Sequence, residues 1–182
     1  EIADSYMCES YVLPVLKIGN YYSGTSGTGT KLIAGQTLSS TQKVYIYAKS
    51  PFTPTCSDES SFTITKVVSP KVNPISNSLL TACDEDGLND GIFKFDLTQL
   101  SATALGSQTT SEYKVEYFDS QVDAVTGAKP ILSTTSKTVF VRVSNTLAKD
   151  CFEIKSLNII INKIPEAKAE DGKPTKLQLK NL

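Results

Sequence analysis

The feature that most constrains the fold is an internal repeat. The segment Thr41-Gln-Lys-Val-Tyr-Ile-Tyr-Ala-Lys49 is matched by Ser136-Lys-Thr-Val-Phe-Val-Arg-Val-Ser144, and the matched positions lie 95 residues apart. A repeat of this length is a whole domain rather than a unit of a solenoid. Other landmarks keep an offset close to 95: Cys56 with Cys151, Pro70 with Pro165, and Tyr21-Tyr22 with Tyr117-Phe118. The chain of 182 residues is therefore predicted to form two modules, residues 1–69 and 70–164.

Alternating side chains predict β-strands in both modules. Val44, Ile46 and Ala48 point to one face of a strand, and the intervening Tyr45 and Tyr47 point to the other. The same alternation places Val139, Val141 and Val143 on one face, and Phe93, Phe95 and Leu97 on another. One buried face per strand is typical of antiparallel sheets in a sandwich. The predicted fold class is all-β, with two tandem immunoglobulin-like β-sandwich modules; the best helical candidate, residues 97–105, is ended by Gly106.

Four cysteines, two in each module, predict structural disulfides. Three connectivities are compatible with four cysteines. The repeat favours one bond inside each module, Cys8–Cys56 and Cys83–Cys151. A zinc site would need a Cys-x-x-Cys pair or histidines, and the sequence has neither. Disulfides form in oxidising compartments, so the cysteines predict export from the cytoplasm.

Composition argues against several classes of function. The formal net charge is −1, whereas nucleic-acid binding proteins usually carry a basic surface. The chain has no histidine, the commonest general base, and no pattern places a pair of catalytic carboxylates. No apolar run approaches the roughly 20 residues of a membrane helix. We therefore predict no enzyme, no required cofactor, no nucleic-acid partner and no membrane span.

An acidic loop follows Cys83 and leaves two interpretations open. The spacing of an EF-hand fails, because Leu88 occupies a ligand position and Leu97 stands where a bidentate Glu is needed. A different calcium site is compatible with four oxygen-bearing residues, Asp84, Asp86, Asn89 and Asp90. The simpler interpretation is a turn, because Asp-Gly and Asn-Asp-Gly are strong turn formers. The first module lacks this acidic cluster, so any bound calcium would be accessory to the fold.

Two other features have structural interpretations. The run Gly24-Thr-Ser-Gly-Thr-Gly-Thr30 is not a phosphate loop, because no Lys-Ser/Thr and no helix start follow it. It is predicted to be a hairpin between strands at Tyr21-Tyr22 and Leu32-Ile33. The tyrosines at positions 21, 22, 45 and 47 either pack in the sheet or form an exposed platform for sugars.

The sequences of both modules resemble repeats of very large cell-surface proteins of Bacteroidota, chiefly flavobacteria. In the second module the likeness rests on Cys83-Asp-Glu-Asp-Gly-Leu-Asn-Asp-Gly-Ile-Phe-Lys-Phe-Asp-Leu97, on Val115-Glu-Tyr-Phe-Asp119, and on Val139-Phe-Val-Arg-Val143 with Asn145 and Cys151. In the first module it rests on Gly19-Asn-Tyr-Tyr-Ser-Gly-Thr25 and Thr41-Gln-Lys-Val-Tyr-Ile-Tyr47 with Cys56. The likeness spans residues 1–164 and brings no catalytic residues with it.

The resemblance implies an adhesin-like protein associated with gliding motility and exported by the type IX secretion system. The expected location is the bacterial cell surface, beyond the outer membrane. The expected partners are neighbouring repeat modules, the secretion and surface-anchoring machinery, and a polysaccharide or cell-surface receptor. We expect the chain to be a structural and adhesive segment of a longer protein, with residues 165–182 a linker or the truncated start of a following module. The alternative is a module that binds carbohydrate or protein with the help of calcium.

Overall fold

A computed structural model describes residues 2–52, 55–135 and 137–165. The strands in these ranges are β1 (Ser5–Met7), β2 (Tyr11–Val12), β3 (Asn20–Tyr22), β4 (Lys31–Leu32), β5 (Thr37–Leu38), β6 (Gln42–Lys49), β7 (Ser57–Lys66), β8 (Thr81–Cys83), β9 (Phe95–Asp96), β10 (Tyr113–Phe118), β11 (Ser133–Thr134), β12 (Thr138–Asn145), β13 (Phe152–Asn158) and β14 (Ile160–Asn162). The helices are α1 (Ser101–Leu105) and α2 (Gln121–Thr126), with 3-10 turns at Thr25–Gly27, Asn77–Leu80 and Thr98–Leu100. The linker or truncated module predicted at 165–182 lies outside the described residues except for Pro165.

Strands predominate in both halves of the chain, which confirms the coarse prediction of a β-rich fold. The N-terminal half forms a sheet in the order β1-β7-β6-β3-β4 and a separate pair, β2 with β5. The C-terminal half forms a sheet in the order β10-β12-β13 and two pairs, β9 with β11 and β8 with β14. The predicted antiparallel pairing is found in most strand pairs, but it fails at two edges, because β1 runs parallel to β7 and β8 runs parallel to β14. In each half the first strand pairs in parallel with the last one: β1 with β7 in the N-terminal half, and β8 with β14 in the C-terminal half.

The register of the strands repeats with the offset found in the sequence. Val44 of β6 lies opposite Phe62 of β7, and Val139 of β12 lies opposite Leu157 of β13. Both members of the second pair are 95 positions beyond those of the first. Because a slip of one residue would turn every side chain to the other face, a shared register gives both halves the same buried face.

Two clusters of buried apolar side chains form, one in each half, and they share no residue. The N-terminal cluster consists of Met7, Leu13, Tyr21, Leu32, Leu38, Val44, Phe62 and Ile64. The C-terminal cluster consists of Val72, Leu80, Phe95, Leu97, Leu100, Ala104, Leu105, Tyr113, Tyr117, Val139, Val141, Val143, Leu157 and Ile159. The inward positions predicted for Val44, Val139, Val141 and Val143 are confirmed, since all four are fully buried.

The two helices differ in how visible they were in the sequence. The predicted helical segment is present as a 3-10 turn followed by α1, which ends at Gly106 with a φ of 59°. Helix α2 was not predicted. Its start is a reciprocal cap, in which Ser120 Oγ accepts from the Asp123 backbone N–H and its hydroxyl donates to the Asp123 carboxylate. Gly127 ends the helix in the left-handed conformation.

Gly127 also provides space for the buried Arg142, whose guanidinium lies 4.2 Å from the Phe152 ring centre. A Cβ at position 127 would collide with the Arg142 guanidinium, and the φ of +69° disfavours a side chain as well. We expect Gly127→Ala to lower the free energy of unfolding by about 2–3 kcal/mol in urea titrations. The matched control is Gly35→Ala, which has a φ of +83° and open space around its Cβ. Gly35→Ala should cost only about 1 kcal/mol, and equal losses would contradict the steric role assigned to Gly127.

Candidate functional site

A disulfide joins the two halves of the chain. Cys8 follows β1 and Cys151 immediately precedes β13. Their Cα atoms lie 5.5 Å apart although the residues are separated by 143 positions in the sequence. This distance is within the usual range for a disulfide. The bond therefore closes a loop that contains nearly all of both hydrophobic clusters.

The predicted pairings Cys8–Cys56 and Cys83–Cys151 are wrong, because the sulfur of Cys8 is bonded to that of Cys151. Met7 pairs with Lys66 at the last position of β7, whereas Cys56 precedes the first position of the same strand. The strand has 10 residues, so roughly 30 Å separate the two cysteines. Cys83 and Cys151 likewise lie at opposite ends of the β13–β14 segment, since Cys83 pairs with Asn162. Such separations are far beyond the reach of a disulfide.

The first cysteine of each half, which is Cys8 or Cys83, occupies the same place in the fold. Met7 pairs with Lys66, so the next position of the register sets Cys8 beside Val67. Cys83 pairs with Asn162, which is 95 positions beyond Val67. Cys8 therefore lies at the junction of the two halves, and Cys83 lies at the far end of the C-terminal half. Cys83 is exposed and takes part in no disulfide within the described part of the chain.

The second cysteine of each half, which is Cys56 or Cys151, makes the same backbone hydrogen bond in both halves. The Cys56 carbonyl accepts a hydrogen bond from Ser50 N–H at 2.8 Å, and the Cys151 carbonyl accepts one from Asn145 N–H at 2.9 Å. These two bonds are again 95 positions apart. The loop that presents the second cysteine is therefore a repeated structure, although only Cys151 faces the junction.

The loop before Cys151 is organised by Asn145, a residue that the family resemblance had singled out. Its side-chain carbonyl accepts from the backbone N–H groups of Leu147 at 2.9 Å and Ala148 at 3.0 Å. The Ala148 carbonyl in turn accepts from Cys151 N–H at 2.8 Å. Asn145 is buried, so water does not replace these bonds when they are lost.

We expect Asn145→Ala to lower the free energy of unfolding by about 1–3 kcal/mol, because it leaves two backbone N–H groups without an acceptor. Urea unfolding under non-reducing conditions measures the change. The control is Asn158→Ala, at an exposed position whose side-chain oxygen accepts a long bond of 3.4 Å from the Thr138 hydroxyl. The control should change stability by less than about 0.5 kcal/mol. An Asn145→Ala protein as stable as the control would contradict this role.

The linker between the halves is fixed to the C-terminal half by several hydrogen bonds. Gln108 both accepts from Lys71 N–H at 2.8 Å and donates to the Lys71 carbonyl at 2.6 Å. The Val72 N–H donates to the Glu153 carboxylate, and the Lys155 ammonium donates to the Val72 carbonyl at 2.7 Å. The Val72 side chain is buried in the C-terminal cluster. The linker therefore has little freedom beyond its first few residues.

The hydroxyl groups with raised pKa values belong to packing rather than to a reactive centre. Burial is the main cause that raises the pKa of Tyr21, Tyr113 and Tyr117. The Tyr113 hydroxyl donates to the Val68 carbonyl of the linker at 3.2 Å, and that of Tyr117 lies 3.2 Å from Ser101 Oγ. Hydrogen bonds from Thr98 lower the pKa of Asp96, an exposed residue at the end of β9. Each of these groups has a structural partner.

The tyrosines proposed as a sugar platform lie on two faces of the N-terminal sheet. Tyr22, Tyr45 and Tyr47 share one face, since Tyr22 pairs with Tyr45 in the register. Tyr21 is buried in the N-terminal cluster, and its hydroxyl donates to the Pro14 carbonyl at 3.0 Å. Tyr22 and Tyr47 are half-buried and pack edge to face at 6.3 Å between ring centres. The glycine-rich run connects β3 to β4 as an antiparallel hairpin, which confirms that prediction. Packing accounts for Tyr21, whereas a sugar platform made of Tyr22, Tyr45 and Tyr47 stays a prediction.

The structure brings three of the four predicted calcium ligands together. One carboxylate oxygen from each of Asp84, Asp86 and Asp90 lies within 4.8 Å of the others. The fourth residue, Asn89, is engaged elsewhere: its amide donates to the Ile164 carbonyl at 3.0 Å, and its oxygen accepts from Ile164 N–H at 2.7 Å. Calcium binding itself stays a prediction and is developed below.

Comparison with known proteins gives one family. Residues 79–165 match the Flavobacterium inter-domain disulphide bond domain. The matched range covers slightly less than half of the chain and supports a flavobacterial origin. It contains Cys83 and Cys151, whereas Cys8 lies outside it. The observed bond thus leaves the matched domain, as the family description indicates. No curated protein and no solved structure matched the chain.

Proposed function

We propose that this chain is a segment of a repeat stalk on the surface of a flavobacterium, in which successive β-sandwich modules are locked together by disulfides. The observation that carries the proposal is the Cys8–Cys151 bond, which joins the two halves of the repeat. A bond inside one module would stabilise that module alone. A bond between modules also fixes the length and the orientation of the segment.

The position of the bond has a mechanical consequence. A pulling force that enters near residue 1 reaches Cys8 and passes through the disulfide to Cys151. The 143-residue loop between the cysteines is then removed from the path of the force. Both hydrophobic clusters lie almost entirely within this loop. A segment built in this way keeps its length under load even if one cluster unfolds, which suits a spacer that is pulled from outside.

The equivalent register of Cys8 and Cys83 supports continuation of this linkage. Cys83 is exposed at the end of the C-terminal half, where a following module would begin. In the proposed stalk, the second cysteine of that following module bonds to Cys83 as Cys151 bonds to Cys8. Neighbouring modules of the same protein are thus the proposed partners of this segment.

An oxidising location is required for this role. The disulfide forms and persists outside the cytoplasm. No helix in the described ranges is long and apolar enough to cross a membrane. The disulfide and the family match together support an extracellular protein. The likeness to gliding-motility adhesins supports export by the type IX secretion system and an adhesive role for the longer protein.

Single-molecule pulling between the two ends of the native chain tests the proposal. Under oxidising conditions, residues 9–150 should add nothing to the extended length. After reduction, or in a Cys8→Ser/Cys151→Ser variant, unfolding should add about 500 Å, because each extended residue spans about 3.5 Å. A chain that extends equally in both states would refute the mechanical role. A screen of surface polysaccharides tests the alternative, in which the segment is a sugar-binding module.

A further inference from the structure

We propose that the loop after Cys83 binds one calcium ion through Asp84, Asp86 and Asp90. One oxygen from each carboxylate lies within 4.8 Å of the other two. Oxygens that share a calcium ion at 2.3–2.6 Å lie no more than about 5 Å apart, so the three carboxylates fit around one ion. This inference concerns binding alone and stands whether or not the chain is a stalk.

The decisive observation is the state of Asp84. Its side chain is fully buried, and its Oδ1 has no hydrogen-bond partner. The other oxygen, Oδ2, accepts from Gly91 N–H at 2.6 Å. A buried carboxylate oxygen without a partner is costly, and proteins compensate such groups with a donor or a cation. The Asp84 carboxyl group lies in the same cluster as the exposed carboxylates of Asp86 and Asp90, so a cation placed among them would satisfy all three groups.

The loop holds the carboxylates in place before any ion arrives. Asp86 Oδ1 accepts from Leu88 N–H and Asp90 Oδ1 accepts from Ile92 N–H, each at 2.8 Å. Each of these residues thus uses one oxygen to fix its side chain and keeps a second for a ligand. The ion pairs within the described residues, Lys114–Glu116 and Lys155–Glu153, lie elsewhere. Lys163 lies beside Gly91, but no ion pair within the described residues involves a carboxylate of the cluster.

The chemistry of the cluster favours calcium over other divalent ions. All three donors are carboxylate oxygens, which suit hard cations. Magnesium requires nearly ideal octahedral geometry, whereas calcium accepts the irregular set of ligands that a short loop provides. Three protein carboxylates leave further coordination positions for backbone carbonyls and water. Sites of this kind in extracellular modules have dissociation constants of about 10⁻⁴ to 10⁻³ M.

The bound ion would stiffen the end of the C-terminal half. The loop that contains the three carboxylates also holds the outgoing chain, because Asn89 makes two hydrogen bonds to the Ile164 backbone. The Asp84 N–H donates to the Asn162 carbonyl at 2.9 Å. By ordering this loop, calcium would also fix the direction in which the chain leaves β14.

Titration of the oxidised native chain with CaCl₂ after treatment with a chelator tests the proposal. We expect one site with a dissociation constant of about 10⁻⁴ to 10⁻³ M. At ten times that concentration the melting temperature should rise by about 3–6 °C. The double variant Asp86→Asn/Asp90→Asn should bind at least tenfold more weakly, because calcium affinity depends on the charge of its ligands. Both residues are exposed, and asparagine keeps the oxygen that accepts the backbone hydrogen bond, so the fold is preserved.

The control is Asp96→Asn, which removes an exposed carboxylate at the end of β9, outside the cluster. Asp96 Oδ1 accepts from Thr98 N–H at 2.9 Å, as the cluster residues do with their own neighbours. This variant should bind calcium as the native chain does. Three results would each overturn the proposal: no calcium response up to 10 mM (about tenfold above the expected dissociation constant), equal weakening by the control, or equal binding of magnesium.

Discussion

Replacing Cys8 and Cys151 together by serine is expected to lower the free energy of unfolding by about 5 kcal/mol. The bond closes a loop of 143 positions, and in the chain-entropy treatment the stabilisation grows with loop length. The loss should be visible in urea titrations as a lower midpoint. The slope should be steeper, because an unlinked denatured chain exposes more surface than a linked one.

Cys83→Ser is the matched control for this change. Cys83 occupies the same register position as Cys8 but is exposed and forms no disulfide in the described structure. Its replacement should change stability by less than about 0.5 kcal/mol. If Cys83→Ser destabilised the chain as much as the double variant, the assignment of the bond would be wrong.

Truncating one core phenylalanine is expected to disrupt only the half that contains it. Phe62 is 1% exposed in the N-terminal cluster, and Phe95 is 2% exposed in the C-terminal cluster. Each Phe→Ala change should cost about 3–5 kcal/mol, since it removes buried area and leaves a cavity. Because the clusters share no residue, Phe62→Ala should increase amide hydrogen exchange in β6 and β7 and leave β12 and β13 protected.

The two variants are controls for each other. Phe95→Ala should reverse the pattern, with exchange increased in β12 and β13 and unchanged in β6 and β7. Mass spectrometry of exchanged peptides under non-reducing conditions measures both. A loss of protection spread evenly over the chain by either variant would show a single merged core and contradict the proposal of two modules.

The repeat made much of the fold predictable. Strand positions, the buried valines of β12 and the hairpin from β3 to β4 depend on local alternation and turn residues, which the sequence displays directly. Helix α2 could have been found from Ser120, Asp123 and Gly127, which form a cap at each end. The helix was missed because it is short and the segments around it have the alternating pattern of strands.

The disulfide could not be predicted from the same information. A repeat shows which residues are equivalent, and it led to the prediction that each module has its own internal disulfide. Which cysteines meet depends on the end of the strand at which each one lies. That placement follows from β1 and β8 joining the last strand of their own half in parallel. A parallel edge strand is set by long-range pairing, which local patterns do not specify.

The acidic loop was predicted in part for a related reason. The sequence identified four oxygen-bearing residues, and the structure brings three of them together. Burial and long-range contacts determine which of the four residues join the cluster. Asp84 is enclosed with an oxygen lacking a partner, whereas Asn89 turns towards Ile164, a residue 75 positions away. Contacts at such separations depend on the folded C-terminal half and leave no sign in a short loop sequence.

Peptide mapping of the non-reduced chain is the most direct test of the covalent link between the two halves. Cleavage after lysine gives residues 1–17 with Cys8, 50–66 with Cys56, 72–94 with Cys83 and 150–155 with Cys151. We predict that peptide 1–17 is joined to peptide 150–155 and that reduction separates them. Peptide 1–17 joined to 50–66, together with 72–94 joined to 150–155, would show closed bonds inside each half and would contradict the locked stalk.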